Sequence, residues 1–406
     1  MTNMGRVRLA GMVLLALASL AWKSGSTAAA GSSEKAIETY RVLAPIESGN
    51  LLLFPVVRKD GKYDGKGNGK SPFLTLDEGI KSGAVEVTEA GKAQGLVRPR
   101  GGPVVPDGNR YRPDQVNTLV LINNSNQPLL LLGGEIVTGG KQDRVIAKDR
   151  IVPAGSDPID LSVFCIEPGR WVESSAKFGA TANKPAASFM VQPSVRERAM
   201  AAKDQQQVWN AVGGAIRGMA VAAAPGPPHP PGQGDILSEV SGGRTLGTTS
   251  YAKAMQDSSV SSKVDEAGAS VMQSREQVLG ELRQEHAVGV VIAVRGEIVW
   301  ADLFADTELL SRYWTKLVRS YAAESLSGEE THGAATAADA QRFLDAPSTG
   351  SETSEGEVGV YRYREIKAAG TDTFALEALL PGTGYEVHIS KLKLRNPDRR
   401  PKVGRF

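Results

Sequence analysis

Apolar residues alternate in short runs through the first half of the chain and fall into helical stripes later. The stretch 36–57 reads as strand, with Leu51-Leu-Leu-Phe-Pro-Val-Val57 its most apolar piece. Thr75 to Lys81 predicts a short helix, with Thr75 as cap and Asp77 and Glu78 in the first turn. A short strand is expected over Ala84–Thr88. The densest strand region follows: Asn117–Ile122, Pro128–Leu132, Glu135–Thr138, Gln142–Ala147, Ile151–Pro153 and Asp160–Ile166. Asn123-Asn124, Gly133-Gly134, Gly139-Gly140 and Ala154-Gly155 punctuate it as turns. Strands at this spacing point to an antiparallel sandwich or barrel.

Helical patterns dominate afterwards. Ser194 to Val212 is expected to be helical, with Glu197 at capping-box spacing from Ser194. Val260 to Gln284 reads as helix, weakened at Gly268 and Gly280. Val288–Val294 and Glu297–Phe304 flank Arg295-Gly296, the spacing of a tight hairpin. In Thr307–Leu326, the residues Leu310, Trp314, Leu317 and Tyr321 form one apolar stripe, read as core. Ser348–Glu357 is acidic and Ser/Thr/Gly-rich, and is expected to be mobile. Alternation returns in Val358–Ile366, Phe374–Leu379 and Tyr385–Leu394. The fold class that results is α+β, an antiparallel β-sandwich- or barrel-like core with packed helices.

The N-terminus changes the picture. Arg6 and Arg8 precede an apolar run from Leu9 to Trp22, and Ala28, Ala29 and Ala30 follow as small residues. That order predicts a secretory signal peptide over residues 1–30, an exported (periplasmic or secreted) protein, and no stable membrane anchor after its removal. Of the 47 basic residues, three lie in this leader, which has no acid; the remainder carries 44 basic against 45 acidic side chains. Near-neutral charge gives no field for nucleic acid, so none is expected as partner. The rest divides into a domain over 34–326, with a flexible Pro/Ala/Gly insertion near 213–259, a mobile linker over 327–357, C-terminal strands over 358–394 and a basic tail over 395–406. Gly (45) and Pro (22) among 406 residues fit long loops.

Two blocks carry a family resemblance. The first is Val120-Leu-Ile-Asn-Asn124, Pro128-Leu-Leu-Leu-Leu-Gly-Gly-Glu135, Gly140-Lys-Gln-Asp-Arg144, Asp149-Arg-Ile-Val-Pro153 and Val163-Phe-Cys-Ile-Glu-Pro-Gly-Arg-Trp171. The second is Val288-Gly-Val-Val-Ile292, Ala301-Asp-Leu-Phe304 and Arg312-Tyr-Trp-Thr-Lys-Leu-Val-Arg-Ser-Tyr321. Together they resemble the ARG and rhodanese-phosphatase-superfamily-associated domain, an uncharacterised domain, over roughly Ala36 to Leu326. The family name records an association with ADP-ribosylglycohydrolase-type and rhodanese-phosphatase-type proteins. It implies no activity of its own and no catalytic residues.

The first block also holds the best candidate chemistry. Glu135 follows two glycines, and Gln142, Asp143 and Arg144 open the next strand across the Gly139-Gly140 turn. Paired as a hairpin, these strands would bring Glu135 within reach of Arg144 or Gln142. Asp149, Arg150, Glu167 and Arg170 extend the polar edge, and Trp171 offers an apolar wall. An ion-paired sheet edge is the competing reading. Other motifs add little. Gly69-Lys70-Ser71 lacks the earlier glycine and the strand of a phosphate loop. Cys165 reads as a buried small hydrophobe, and Asp302 as a solvent-facing strand residue. Four histidines and one cysteine do not supply the usual zinc spacings, so no metal and no cofactor is expected. The functional expectation is an exported protein binding a small polar ligand or a protein partner. The alternatives are a hydrolase of a ribosyl- or phosphate-bearing substrate using Glu135, Asp143 or Asp149, and a structural envelope protein.

Overall fold

The alternating strands of the first half close on themselves. The computed structural model describes residues 40–59, 71–95, 117–180, 189–224, 246–273, 275–327, 334–381 and 384–394. The predicted leader, residues 225–245 of the expected insertion, and the basic tail lie outside them. Strands β1 (Tyr40–Val42), β2 (Ile46–Ser48) and β3 (Leu51–Arg58) come first, then β4 (Leu74–Thr75), helix α1 (Leu76–Lys81) and β5 (Val85–Glu89). The Thr75 cap forms as expected: its hydroxyl accepts the Glu78 N–H, and the Glu78 carboxylate accepts the Thr75 N–H. Seven short strands follow: β6 (Thr118–Asn123), β7 (Leu129–Leu131), β8 (Ile136–Thr138), β9 (Arg144–Ile146), β10 (Arg150–Val152), β11 (Ile159–Cys165) and β12 (Lys177–Ala180).

Strands β11-β6-β5-β12-β8-β9 form a closed barrel, and β10-β7-β4 a small sheet beside it. One set of alternate residues, among them Val87, Leu119, Leu121, Val137, Leu161, Val163 and Phe178, fills the barrel. A barrel this small is packed by its own side chains and leaves no channel. The other set, including Ile136, Val145, Phe164 and Ile166, faces the main core.

The helices come next: α2 (Pro193–Glu197), α3 (Gln205–Ala222), α4 (Tyr251–Gln256), α5 (Ser258–Ala267), α6 (Ala269–Gln273) and α7 (Arg275–Gln284). Ser194 does not cap its helix. Gln192 has the extended cap backbone, and Pro193 starts the helix two residues earlier than the Ser194 spacing implies. The expected helix through Val212 is also broken: a π-turn over Arg198–Ala202 ends in left-handed Lys203, and Asp204 caps a new helix. Gly268 likewise divides the expected 260–284 helix.

Strands β13 (Ala287–Val294) and β14 (Glu297–Phe304) pair around Arg295 and Gly296, both at positive φ, as a type I′ turn requires. Helices α8 (Thr307–Ser325) and α9 (Ala337–Asp345) precede β15 (Gly350–Glu357), β16 (Tyr361–Ala368), β17 (Thr371–Ala378) and β18 (Glu386–Lys393). These strands build a nine-stranded antiparallel sheet in the order β1-β3-β13-β14-β18-β17-β16-β15, with β2 also on β3. Strand β18 sits beside β14, so the C-terminal strands complete the sheet that β3, β13 and β14 begin. The segment 327–357, expected as a mobile linker, instead contributes α9 and β15 among its described residues. Strand β15 is exposed throughout, yet it pairs with β16 along its whole length. Lys148 and Arg150 reach its Glu355 and Glu357 at 2.6 and 3.9 Å.

Both faces of the large sheet are covered. Val290, Ile292, Trp300 and Phe304 meet the Leu310–Trp314–Leu317–Tyr321 stripe of α8, which is core as expected. Ala301, Leu303, Ala375 and Ile389 meet Phe343 and Leu344 of α9 on the other face.

Candidate functional site

Strands β8 and β9 do pair, with Val137 opposite Arg144. Their turn uses Gly139 at φ 125° and Gly140 at φ 49°. The turn folds back on Asp143, whose Oδ1 accepts the Gly139 N–H at 3.0 Å. Its Oδ2 accepts the hydroxyl of Ser250, the cap of α4, at 2.7 Å. Glu167 accepts the Asp143 N–H at 3.1 Å and pairs with Arg170 at 2.5 Å and Lys253 at 3.2 Å. Gln142 donates to the Glu167 carbonyl at 3.1 Å. Arg144 is fully buried and donates to the Gln142 carbonyl at 2.7 Å. Above Arg144 lies Trp171, 45% exposed, with the guanidinium 5.9 Å and the Lys141 ammonium 5.1 Å from its ring centre.

The structure thus brings Gln142, Asp143, Arg144, Glu167, Arg170 and Trp171 together. It adds Lys141, Glu89, Ser250 and Lys253, which the sequence reading omitted. Ser250 carries a legible signal, a hydroxyl residue at a helix start. Nothing local marks Glu89, which β5 delivers beside the glycine turn. Its Oε1 accepts the Lys141 N–H at 2.9 Å and lies 3.9 Å from Arg144.

Burial pushes the Asp143 carboxyl above its ordinary pKa, against the pull of Ser250. For Glu167 burial acts the same way, but Arg170, the Asp143 N–H and Lys253 outweigh it and hold the carboxyl below its usual value. Desolvation lowers the pKa of Arg144 and raises that of the Cys165 thiol, which is buried and free. Cys165 is thereby a poor nucleophile. Two acceptors stand out: Glu89 Oε2 and Gln142 Oε1 are buried and meet no hydrogen-bond partner among the described residues.

The turn permits a direct test. A Cβ on Gly140 would fall 2.2 Å from the Phe178 ring and 2.7 Å from Glu89 Oε1. Gly140→Ala is therefore expected to cost at least ~1–2 kcal/mol from the left-handed backbone alone. Chemical denaturation checks this, with Gly155→Ala, which also has positive φ but meets nothing within 4 Å, as the comparison.

Three predicted site residues lie elsewhere. Glu135 does not reach Arg144 or Gln142. It is fully buried, accepts the Leu132 N–H at 2.8 Å and pairs at 2.6 Å with Lys316, which also holds Asp77 at 2.8 Å. The apolar strands around it turn its side chain toward α8. Arg150 donates to the Asp160 carbonyl at 2.7 Å and stacks on Tyr361.

Asp149 enters a second buried network. It accepts the Gly133 N–H at 2.7 Å and lies 2.6 Å from His388 Nδ1. His388 Nε2 lies 3.3 Å from Asp302, which takes a bidentate pair from Arg196 at 2.8 and 3.0 Å. Tyr321 and Ser390 also donate to Asp302. Asp302 is therefore not solvent-facing. Ala301 and Leu303 face α9, so its alternation points it into the opposite core, where Arg196 compensates its charge. The alternation was misleading because neither face of this sheet is water.

A separate open groove of about 550 Å³ runs between α2, α3 and the end of α8, lined by Gln192, Ser194, Glu197, Asn210 and Glu324 among others. Among the described residues no His, Cys, Asp and Glu group of three or more is placed to hold a metal, and no helix is long and apolar enough to cross a membrane.

The model of the ARG and Rhodanese-Phosphatase-superfamily-associated Protein domain matches residues 39–392. The chain belongs to this family. No curated protein and no solved structure matches it. The family match takes in both sheets and β18 almost to its end, so the ARG and Rhodanese-Phosphatase-superfamily-associated domain runs on through the C-terminal strands, past the expected limit at 326.

Proposed function

We propose that this is an exported binding protein that takes a small polar ligand at the Gly139–Arg144 turn, against Trp171. One observation carries the reading: Glu89 Oε2 and Gln142 Oε1, on two residues that flank Arg144, are buried acceptors without a hydrogen-bond donor among the described residues. A buried unfilled acceptor costs about 1–3 kcal/mol, which a ligand bringing N–H or O–H groups recovers. Trp171 supplies an exposed ring beside it, suited to a flat or apolar ligand face. The ligand class that fits is a hydroxyl- or amine-bearing small molecule.

The hydrolase alternative draws less support. Glu135 and Asp149 are fully buried and engaged by Lys316 and His388, while Asp143 is held by Ser250 and Gly139. Carboxylates so committed are poorly placed for proton transfer to a substrate.

Thermal-shift screening of sugars, amino alcohols and amines against the purified mature protein tests the proposal. A hit is expected to weaken by about 1–3 kcal/mol in Gln142→Leu, which removes one receiving acceptor. Trp171→Ala is expected to weaken the same hit while leaving the melting temperature nearly unchanged, because the ring is half exposed. A hit that binds both variants as it binds the wild type places the ligand elsewhere.

The export half of the proposal rests on Arg6 and Arg8, the apolar run and the alanines after it. Sequencing the N-terminus of native soluble protein is expected to start near Gly31. Recovery of Met1 or Thr2 would contradict it.

A further inference from the structure

The outer face of the large sheet holds a feature unrelated to the turn cluster. Register places Arg364, Ala375 and Ile389 in one row across β16, β17 and β18, and Ile366, Thr373 and Lys391 in the next. Opposite residues share a face, so both cations point toward α9. They line a narrow cavity of about 20 Å³, with Leu344 and Ile389 among its apolar walls and Ser348 and Thr373 at its polar side. That is room for one water-sized group.

Lys391 is 2% exposed and Arg364 3%. The Lys391 ammonium donates to the Leu344 and Ala346 carbonyls at the end of α9, at 3.2 and 2.6 Å. These satisfy two of its three N–H donors, the Phe343 ring centre lies 5.6 Å from the ammonium, and no carboxylate lies within ion-pair distance among the described residues. Arg364 pairs with Glu386 at 2.6 Å and lies 3.9 Å from Glu352, yet its Nε is buried without a hydrogen-bond partner among the described residues. Two buried cations thus share one cavity with donors to spare, against the single close carboxylate of Glu386. Burying a charge without a counter-charge is costly.

We infer that this cavity binds one small monatomic anion of halide size against Lys391 and Arg364. Nothing larger fits, and the apolar walls suit a weakly hydrated ion. Burial lowers the Lys391 pKa to about 8, against the attraction of Asp345. An anion beside it favours the charged amine, so occupancy is expected to fall as the pH rises beyond this value, with Arg364, Glu386, Glu352 and Asp345 the other charges around the site.

Chloride NMR line width on the full mature chain is the test. The wild type is expected to broaden the chloride line beyond the surface contribution, bromide to reverse this competitively, and Lys391→Met to abolish it. Lys148→Met, which removes a surface cation paired with Glu355, is expected to leave it unchanged. If Lys391→Met does not fold, Arg364→Gln is read in its place by the same criterion. No excess broadening in the wild type, or equal broadening in the cavity variant, overturns the inference; so does bromide failing to compete with chloride.

Discussion

Arg196→Ala is expected to lower the unfolding free energy by about 3–5 kcal/mol, as removal of one partner of a buried pair does. The variant leaves Asp302 fully buried with its bidentate partner gone. It also removes donation to the Gly133 carbonyl at 3.2 Å and the guanidinium 4.4 Å from the Trp300 ring. Burial works against the Asp302 carboxylate, and Arg196 and His388 reverse this to hold its pKa well below the ordinary value. The effect is large because the network joins separately built parts. Gly133 and Asp149 belong to the barrel side, Asp302, His388 and Ser390 to the large sheet, Arg196 to α2 and Tyr321 to α8. Urea denaturation measures the loss. Adding Asp302→Asn to Arg196→Ala is expected to recover part of it, since the orphaned charge is gone. A loss below about 1 kcal/mol would mean that the pair contributes no more than an exposed one.

The second large effect is a loss of stability at alkaline pH. Burial disfavours the charged form of His388, but Asp149 and Asp302 overcome it and raise the pKa to about 9. An unfolded histidine titrates near ~6.5. The folded state therefore holds a proton that the unfolded state has released between these values. The stabilisation is fully present below about 6.5 and fades as the pH climbs through about 9, by roughly 3 kcal/mol in all. Lys391 acts in the opposite sense. Its folded pKa, lowered to about 8, lies below the unfolded value, so stability rises as pH climbs through that window. Measured in Lys391→Met, the decline from pH 6.5 to 9 is expected to stand clear of this compensation. His388→Gln in the same background is expected to be less stable at pH 6 and nearly flat with pH. A decline of equal size after His388→Gln would assign it to other groups.

The sequence carried the local decisions well. Alternation and turn dipeptides located β6 to β11 to within a few residues, and Arg295-Gly296 located the hairpin after β13. The α8 stripe is legible because four large apolar residues at helical spacing have one place to go. What failed to read through was the partner of each charge. Asp302 looks solvent-facing by alternation, and its compensating Arg196 lies 106 residues earlier in a helix. Glu135 sits in the same short motif as Arg144, but its neighbour in space is Lys316. Strand β15 has no apolar residue to announce it and is held by ladder bonds and charges from β16, Lys148 and Arg150. Of the polar edge, Gln142, Asp143, Arg144, Glu167, Arg170 and Trp171 were legible because the Gly139-Gly140 turn and the pairing of β9 with β11 hold them together, whereas Asp149 and Arg150 turn away. Glu89 and Lys253 come from distant elements.

Native mass spectrometry of the protein after mild purification tests the central claim most directly. Wild-type protein, incubated with a hit from the ligand screen, is expected to show a discrete one-to-one complex. Gln142→Leu and Trp171→Ala are each expected to lose most of it at the same concentration while keeping the charge-state distribution of the folded chain. A one-to-one complex that persists at wild-type abundance in both variants would contradict a site at the Gly139–Arg144 turn.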